Sequence, residues 1–121
     1  MDKEQALHEF WASFLLPAYD ENTVPLSAEM PYITYEVATS EIDYTVSLNA
    51  SLWYRSTSWS SATEKANEIS AGIGQGGALI PYNNGALWIS RGTPFAQRMA
   101  DDDDSIRRIV LNIDAEYISA D

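Results

Sequence analysis

The sequence predicts an α/β fold of the α+β type, in which two helices pack on a mostly antiparallel sheet of four to five strands with long loops. Two segments, near residues 7–15 and 62–73, carry apolar residues at helical spacing. Other segments alternate apolar and polar residues, as strands with one buried face do. An Asn-Gly pair at residues 84–85 separates two of these segments, which is typical of a hairpin. We expect the whole chain, residues 1–121, to form a single domain.

The N-terminal helix is predicted to span residues 3–16, ahead of a core of sheet and helix over residues 31–118. Its apolar face is formed by residues spaced as i, i+3, i+4, i+7 and i+8, namely Leu7, Phe10, Trp11, Phe14 and Leu15. Asp2 can cap the start of this helix, and Pro17 is expected to end it. His8 lies at the flank of the apolar face, where we assign it a structural role.

A connector and two strands are predicted to follow. Residues 18–31 contain prolines and turn-forming residues, and connectors of this length often bind a ligand or reach a neighbouring subunit. Residues 32–38 and 44–55 both alternate apolar and polar side chains, most regularly in the second segment. Residues 41–43 are a plausible hairpin connection between them. The sequence therefore predicts an antiparallel pair with one buried face.

The second helix is predicted to start near residues 58–61. Ser61 and Glu64 have the spacing of a capping box, in which each side chain satisfies a free backbone N–H group of the other. The narrow apolar stripe of this helix consists of Ala62, Ala66, Ile69 and Ile73. The glycines in residues 72–77 are interpreted as the end of the helix. They do not fit a phosphate-binding loop, because such loops precede a helix.

A hairpin and a final strand complete the predicted sheet. Residues 78–82 and 86–91 are expected to be its strands, and Pro81 favours an edge position because it has no N–H group to donate. Residues 92–105 are predicted to form a second long loop. The last strand is predicted over residues 106–117, where apolar and polar residues again alternate.

Composition argues against several classes of function. The absence of cysteine excludes disulfides and thiolate chemistry, and a single histidine removes two-histidine metal motifs. Composition leaves carboxylate pairs for acid–base catalysis open, but the sequence shows none in an obvious pocket, so no metal, cofactor or catalytic residue is predicted. The net charge of −11 opposes binding to nucleic-acid phosphates, which requires clustered cations. No apolar run is long enough to span a membrane, and the polar N-terminus is unlike a signal peptide. We expect a protein made and used on the cytosolic side, and not an enzyme.

A run of four aspartates, Asp101, Asp102, Asp103 and Asp104, is the most acidic segment of the chain. The favoured interpretation is a solvated loop tip partly balanced by Arg107 and Arg108. A functional acidic surface is the alternative. A metal site is the least favoured interpretation, because four consecutive aspartates do not converge on one ion without distorting the backbone.

Aromatic residues are the strongest indication of an interface. Trp53 and Trp88 fall on strand faces opposite their apolar neighbours, so either both faces of the sheet are covered within the chain or these side chains meet another subunit. Both interpretations stay open, and tryptophan, tyrosine and arginine are enriched at interface hot spots. The candidate residues for a subunit or partner interface are Trp53, Arg55, Trp59, Trp88, Arg91 and Phe95.

The order of these segments resembles a known family. Residues 31–36 (PYITYE) lead into a strand that closes with residues 52–58 (LWYRSTS), and a helix containing Ala62, Ala66 and Ile69 follows directly. Residues 104–113 (DSIRRIVLNI) then lead into the final strand. This succession, over about residues 31–118, is similar to tail-completion (tail terminator) and minor tail proteins of long-tailed bacteriophages.

The resemblance implies a structural virion protein of the tail that is assembled in the host cytoplasm. Copies of such a protein form a homo-oligomeric ring, typically a hexamer, that caps the tail tube and joins it to the head. The implied partners are further copies, the tail tube protein and a head or neck connector protein, while DNA passes without specific binding and no membrane is involved. In such a ring, we expect residues 101–104 to lie at the lumen or at an axial surface.

Two other functions remain alternatives at this stage. The chain could be a different tail or neck component, such as a tail tube or head-closure protein. It could also be a monomeric binding module that uses an aromatic sheet face as its ligand site.

Overall fold

The computed structural model describes residues 2–37 and 45–119, which form two helices and one six-stranded sheet. The helices are α1 (Lys3–Ala12) and α2 (Ser60–Ile73), and the strands are β1 (Ala18–Asp20), β2 (Tyr32–Tyr35), β3 (Thr45–Arg55), β4 (Ala78–Tyr82), β5 (Gly85–Met99) and β6 (Ile106–Ser119). The sheet order is β1-β2-β3-β6-β5-β4, and β1 with β2 is the parallel pair. The α+β class is confirmed, with six strands instead of four to five. The predicted hairpin connection at residues 41–43 lies outside the described residues.

Helix α1 starts as predicted but ends four residues earlier, at Ala12 instead of residue 16. Asp2 caps it: the Gln5 backbone N–H donates to Asp2 Oδ1 at 2.8 Å, and the Asp2 N–H donates to Gln5 Oε1 at 3.0 Å. At the other end, the Ser13 hydroxyl donates to the Phe10 carbonyl at 2.6 Å, and Leu15 adopts a positive φ of 66°. A left-handed residue cannot continue a helix, so the chain turns before Pro17.

The connector predicted over residues 18–31 contains a strand. Residues of β1 pair in parallel with β2, with Ala18 opposite Ile33. After β1 the chain turns through a hydrogen bond from the Thr23 N–H to the Asp20 carbonyl at 2.9 Å. Strand β2 then pairs with β3 in the predicted antiparallel arrangement, with Ile33 opposite Leu52.

Helix α2 confirms the predicted apolar stripe and contradicts the predicted capping box. The N-cap is Trp59, which has helical backbone angles and makes no side-chain capping bond. The helix begins one residue before Ser61, and the Ser58 hydroxyl instead accepts a hydrogen bond from the Ser60 N–H at 3.2 Å. Gly74, with a φ of 74°, ends the helix in a conformation that glycine adopts without steric cost.

The hairpin is confirmed, but the long loop predicted over residues 92–105 is wrong. Strand β5 continues to Met99 and pairs with β6 on both sides of a register shift between Arg91 and Ala96. The connection between β5 and β6 is therefore reduced to residues 100–105. β4 is an edge strand, as Pro81 predicted.

Both helices pack on one face of the sheet. The core consists of the apolar stripes of α1 and α2 and of the strand residues facing them, among which Leu52, Leu87 and Leu111 are fully buried. Helix α1 contacts both edge strands, β1 and β4, so the sheet curls around the helices. We call the other side of the sheet the open face, since neither helix packs against it.

Candidate interaction surface

The open face carries an aromatic row at one end. Register pairing aligns Tyr32, Trp53, Arg108 and Met99 across β2, β3, β6 and β5. The Trp53 indole N–H donates to Thr34 Oγ1 at 2.9 Å, and the Arg108 guanidinium lies 4.6 Å from the centre of the Trp53 ring. These contacts fix the Trp53 ring against the sheet and leave it half-buried.

The opposite end of the open face is apolar. Leu79, Trp88 and Ile118 are 64%, 41% and 41% exposed, and we call them the apolar corner. Leu79 pairs with Trp88 across β4 and β5, and Ile118 lies on β6 in the next row of the same face. The Trp88 indole N–H donates to the Gly76 carbonyl at 3.0 Å, so this ring is also held in one orientation.

The middle of the open face is a polar depression beneath the β5 bulge. It is lined by side chains of β3 and β6, including Asn49, Asn112 and Asp114. The Asn112 amide donates to the Pro94 carbonyl of the bulge at 3.0 Å, and the Ser47 hydroxyl donates to Asp114 Oδ1 at 3.1 Å. These polar groups satisfy one another across neighbouring strands.

A second polar depression lies beside α1. His8 Nδ1 is 3.0 Å from the Tyr35 hydroxyl, and Glu4, Glu9 and Asp20 line the same depression. Burial raises the pKa of Tyr35, and the charges of Asp20 and Glu4 raise it further, so this hydroxyl stays protonated at neutral pH. Within residues 2–37 and 45–119, no group of His, Asp or Glu is arranged to hold a metal ion.

Trp59 lies on the helix side of the sheet, where it joins α2 to the β5–β6 hairpin. The guanidinium groups of Arg98 and Arg107 lie 4.9 and 5.4 Å from the centre of its ring. Arg107 also donates from Nη2 to the Thr57 carbonyl at 3.0 Å. The ring is half-buried against the core, so Trp59 fastens the hairpin to the start of α2.

The six residues predicted as an interface do not form one surface. Trp53, Arg55 and Trp88 lie on the open face, whereas Trp59 and Arg91 face the helices and Phe95 packs partly against the core. Arg91 donates to Ser70 Oγ of α2 at 2.9 Å. Leu79, Met99 and Ile118 are also exposed and were not among the predicted interface residues. Each of them could have been recognised from the sequence as an apolar residue at a position where the strand alternation predicts a polar one.

The aspartate run forms the exposed tip of the β5–β6 hairpin. Asp103 Oδ1 accepts hydrogen bonds from the Ser105 hydroxyl at 2.7 Å and from the Ser105 N–H at 2.8 Å. These bonds lower the pKa of Asp103, and the charge of Arg55 lowers it further. The Arg55 guanidinium lies 3.7 Å from the Asp103 carboxylate. The tip is therefore ordered by its own hydrogen bonds.

All seven lysine and arginine side chains are engaged within the chain. Lys3, Arg98, Arg107 and Arg108 lie over aromatic rings, Arg91 binds a hydroxyl, and Arg55 and Lys65 form the two ion pairs of the described residues. Most carboxylates in this part of the chain consequently have no cation beside them. The surface of residues 2–37 and 45–119 is acidic and has no basic patch that would hold phosphate groups.

Comparison with known proteins gives one fold relationship. The sequence matches no protein-family model and no curated protein. Neither described helix is long and apolar enough to cross a membrane. The fold is similar to that of a chain in the solved structure "Virion of native gene transfer agent (GTA) particle", with a TM-score of 0.65 and 18% sequence identity. The similarity covers 97% of this chain and 95% of that chain, so the two share their complete fold.

Proposed function

We propose that this chain is a structural, non-enzymatic component of a phage-like virion. The observation that carries the proposal is the fold shared with a chain of a gene transfer agent virion over nearly the full length of both chains. The order of sequence segments that resembles tail-completion proteins supports the same assignment independently. In this proposal the protein belongs to the tail and is assembled in the host cytoplasm.

We further propose a specific role for it within the tail. Six copies form a ring that ends the tail tube and joins it to a head or neck connector protein. A ring requires heterologous contacts, in which one surface of a copy meets a different surface of the next. The open face supports this role, because it leaves fixed aromatic side chains, Trp53 and Trp88, accessible to a partner.

The charge distribution suits a channel that DNA crosses without adhering. Six copies of a chain with net charge −11 place roughly 66 negative charges around one channel, and every cation is already engaged. We propose that Asp101–Asp104 line the lumen or an axial face. Replacing all four by asparagine should alter the retention or passage of DNA while the circular dichroism spectrum stays unchanged. Normal infectivity of particles carrying the quadruple variant would contradict this placement.

The ring is tested by measuring the mass of the purified protein by light scattering across concentration. The measurement is repeated at raised salt, which screens the repulsion between acidic copies. A discrete species of about six copies supports the ring, whereas long polymers support a tail tube protein. If the protein stays monomeric, its addition to growing tail tubes decides: a terminator stops their elongation and remains bound at the tip.

A binding module is the competing function, and the aromatic row on the open face favours it. A monomeric module would stay monomeric at every concentration and would not bind tail tubes. Its ligand would contact Trp53, so binding would quench tryptophan fluorescence. If the protein caps tail tubes while its open face stays exposed to solvent, the open face is not the surface through which it acts. That result would exclude the binding module.

A further inference from the structure

The apolar corner is a preformed contact surface. Leu79, Trp88 and Ile118 come from three adjacent strands, and neither helix covers them. Trp88 is held by its hydrogen bond to Gly76, so it loses little conformational freedom when a partner covers it. A fixed tryptophan flanked by aliphatic side chains is typical of an interface anchor. Pro81 leaves the edge strand β4 with one N–H group fewer, which favours contact through side chains over strand addition.

An exposed leucine also lies near the opposite edge of the sheet. Leu26 lies in the connector that follows β1, which is the edge strand farthest from β4 in the sheet order. Its side chain is 107% exposed, so no atom of the described chain shields it. The Ala28 N–H donates to the Pro25 carbonyl at 3.0 Å, which closes a turn with Leu26 at its tip. Turn tips are usually polar, and an ordered turn that displays leucine suits insertion into an apolar surface.

Both surfaces are nearly free of charge, which suits contact between two copies of this chain. Residues 22–28, which surround Leu26, carry no charged side chain. The two strand rows that form the corner contain one described charge, Glu116. A basic partner would be drawn to the aspartate tip, beyond the other end of β6. That end, at Arg108, is ten residues from Ile118, about 33 Å along the strand. This distance exceeds the Debye length of about 10 Å at 0.1 M salt, so the tip opposes docking at the corner only weakly.

We propose that copies of this chain contact one another head to tail, with Leu26 of one copy packed on the apolar corner of the next. Because the two surfaces lie on opposite edges of the sheet, each copy presents one of each, and the contact can repeat until a ring closes. This inference names the subunit contact of the proposed ring and rests on that proposal.

Engineered disulfides test the contact directly, because the chain has no cysteine of its own. The variant with Leu26→Cys and Ile118→Cys is oxidised mildly at high protein concentration and separated on a non-reducing gel. We expect a ladder of covalent dimers, trimers and higher species. The matched control carries Leu15→Cys and Ile118→Cys, since Leu15 is also an exposed leucine, at 87%, near the end of α1. The control should form several-fold fewer crosslinked species.

Mixing the single variants tests the direction of the contact. A mixture of Leu26→Cys and Ile118→Cys chains should give heterodimers, which mass spectrometry of the linked peptides identifies, and no longer species. Homodimers of the Ile118→Cys chain in excess would mean that two corners meet, which overturns the head-to-tail arrangement. Crosslinking no greater than in the control overturns the contact itself.

These outcomes are separate from the outcomes for the proposed function. A six-copy ring seen by light scattering, together with no crosslink between Leu26 and Ile118, would retain the ring and refute this contact. A crosslinked ladder from a protein that fails to stop tube elongation would retain the contact and refute the capping role.

Discussion

The hydrogen bond between Trp53 and Thr34 allows a quantitative test of whether Trp53 is held in place on the open face. The Trp53 indole N–H donates to Thr34 Oγ1 at 2.9 Å, and Thr34 is 8% exposed. Trp53→Phe removes the donor and keeps an aromatic ring in place. Thr34→Val removes the hydroxyl and keeps the branched shape. The two single variants and the double variant form a double-mutant cycle.

The expected free energies follow from burial. Each single variant loses a hydrogen bond with a net value of about 1 kcal/mol and leaves the other hydrogen-bonding group without its partner, so we expect a loss of about 1–3 kcal/mol of unfolding free energy. The double variant leaves neither group unpaired, so its loss should be smaller than the sum of the single losses by about 1 kcal/mol or more. The weaker attraction of Arg108 to phenylalanine affects Trp53→Phe in both backgrounds and cancels in the cycle.

Urea unfolding followed by far-ultraviolet circular dichroism measures these differences. A loss of about 2 kcal/mol lowers the urea midpoint by about 1 M for a domain of this size. Trp88→Phe is the matched control, because Trp88 is 41% exposed and water can replace its hydrogen bond to Gly76. Additive single losses, with no coupling, would refute the assignment of Trp53 as a fixed part of the sheet.

Three further predictions concern the backbone, the acidic tip and the core. Gly77→Ala should lower the melting temperature, since Gly77 has a φ of 86° and an added Cβ would overlap the indole of β5, whereas Gly76→Ala meets no atom within 4 Å and should be nearly neutral. Bonds from Ser105 lower the pKa of Asp103, so its stabilising contribution is present above the ordinary carboxyl pKa and disappears as the pH falls through the lowered value. Asp103→Asn should therefore flatten the acidic loss of stability in urea titrations. Ile69→Ala should cost about 2–5 kcal/mol in urea unfolding, because Ile69 is fully buried.

Sequence patterns identified the elements whose periodicity reflects burial. The stripe of α2 packs on the sheet as predicted, and the alternation in β3 separates buried Leu52 from half-buried Trp53. The turn between β4 and β5 also followed from local chemistry, since Asn84 adopts the positive φ that such a turn requires. These features were predictable because the residues that determine them are adjacent in sequence.

The features that were missed depend on distant strands. Gly92 and Pro94 are typical loop residues. Strand β5 nevertheless continues past them, because β6 pairs with it as far as Arg108. A bulge absorbs the residues that do not fit the register. Strand β1 is short and shows no alternation that could identify it, and it exists because β2 is available to pair with it. Pairing across the sheet thus overrides local turn signals in both places.

The arrangement of cations connects the composition of the chain to its proposed role. A protein with eighteen acidic and seven basic residues could place its cations beside carboxylates, which would neutralise its surface in patches. Here arginines lie instead over Trp53 and Trp59, where a cation stabilises the packing of a ring without neutralising an acid. The cations thereby become part of the scaffold, and the acidic groups stay charged on the outside. In the proposed ring, a subunit built in this way would keep neutral surfaces for contact with its own copies and would present an acidic surface to any DNA that passes.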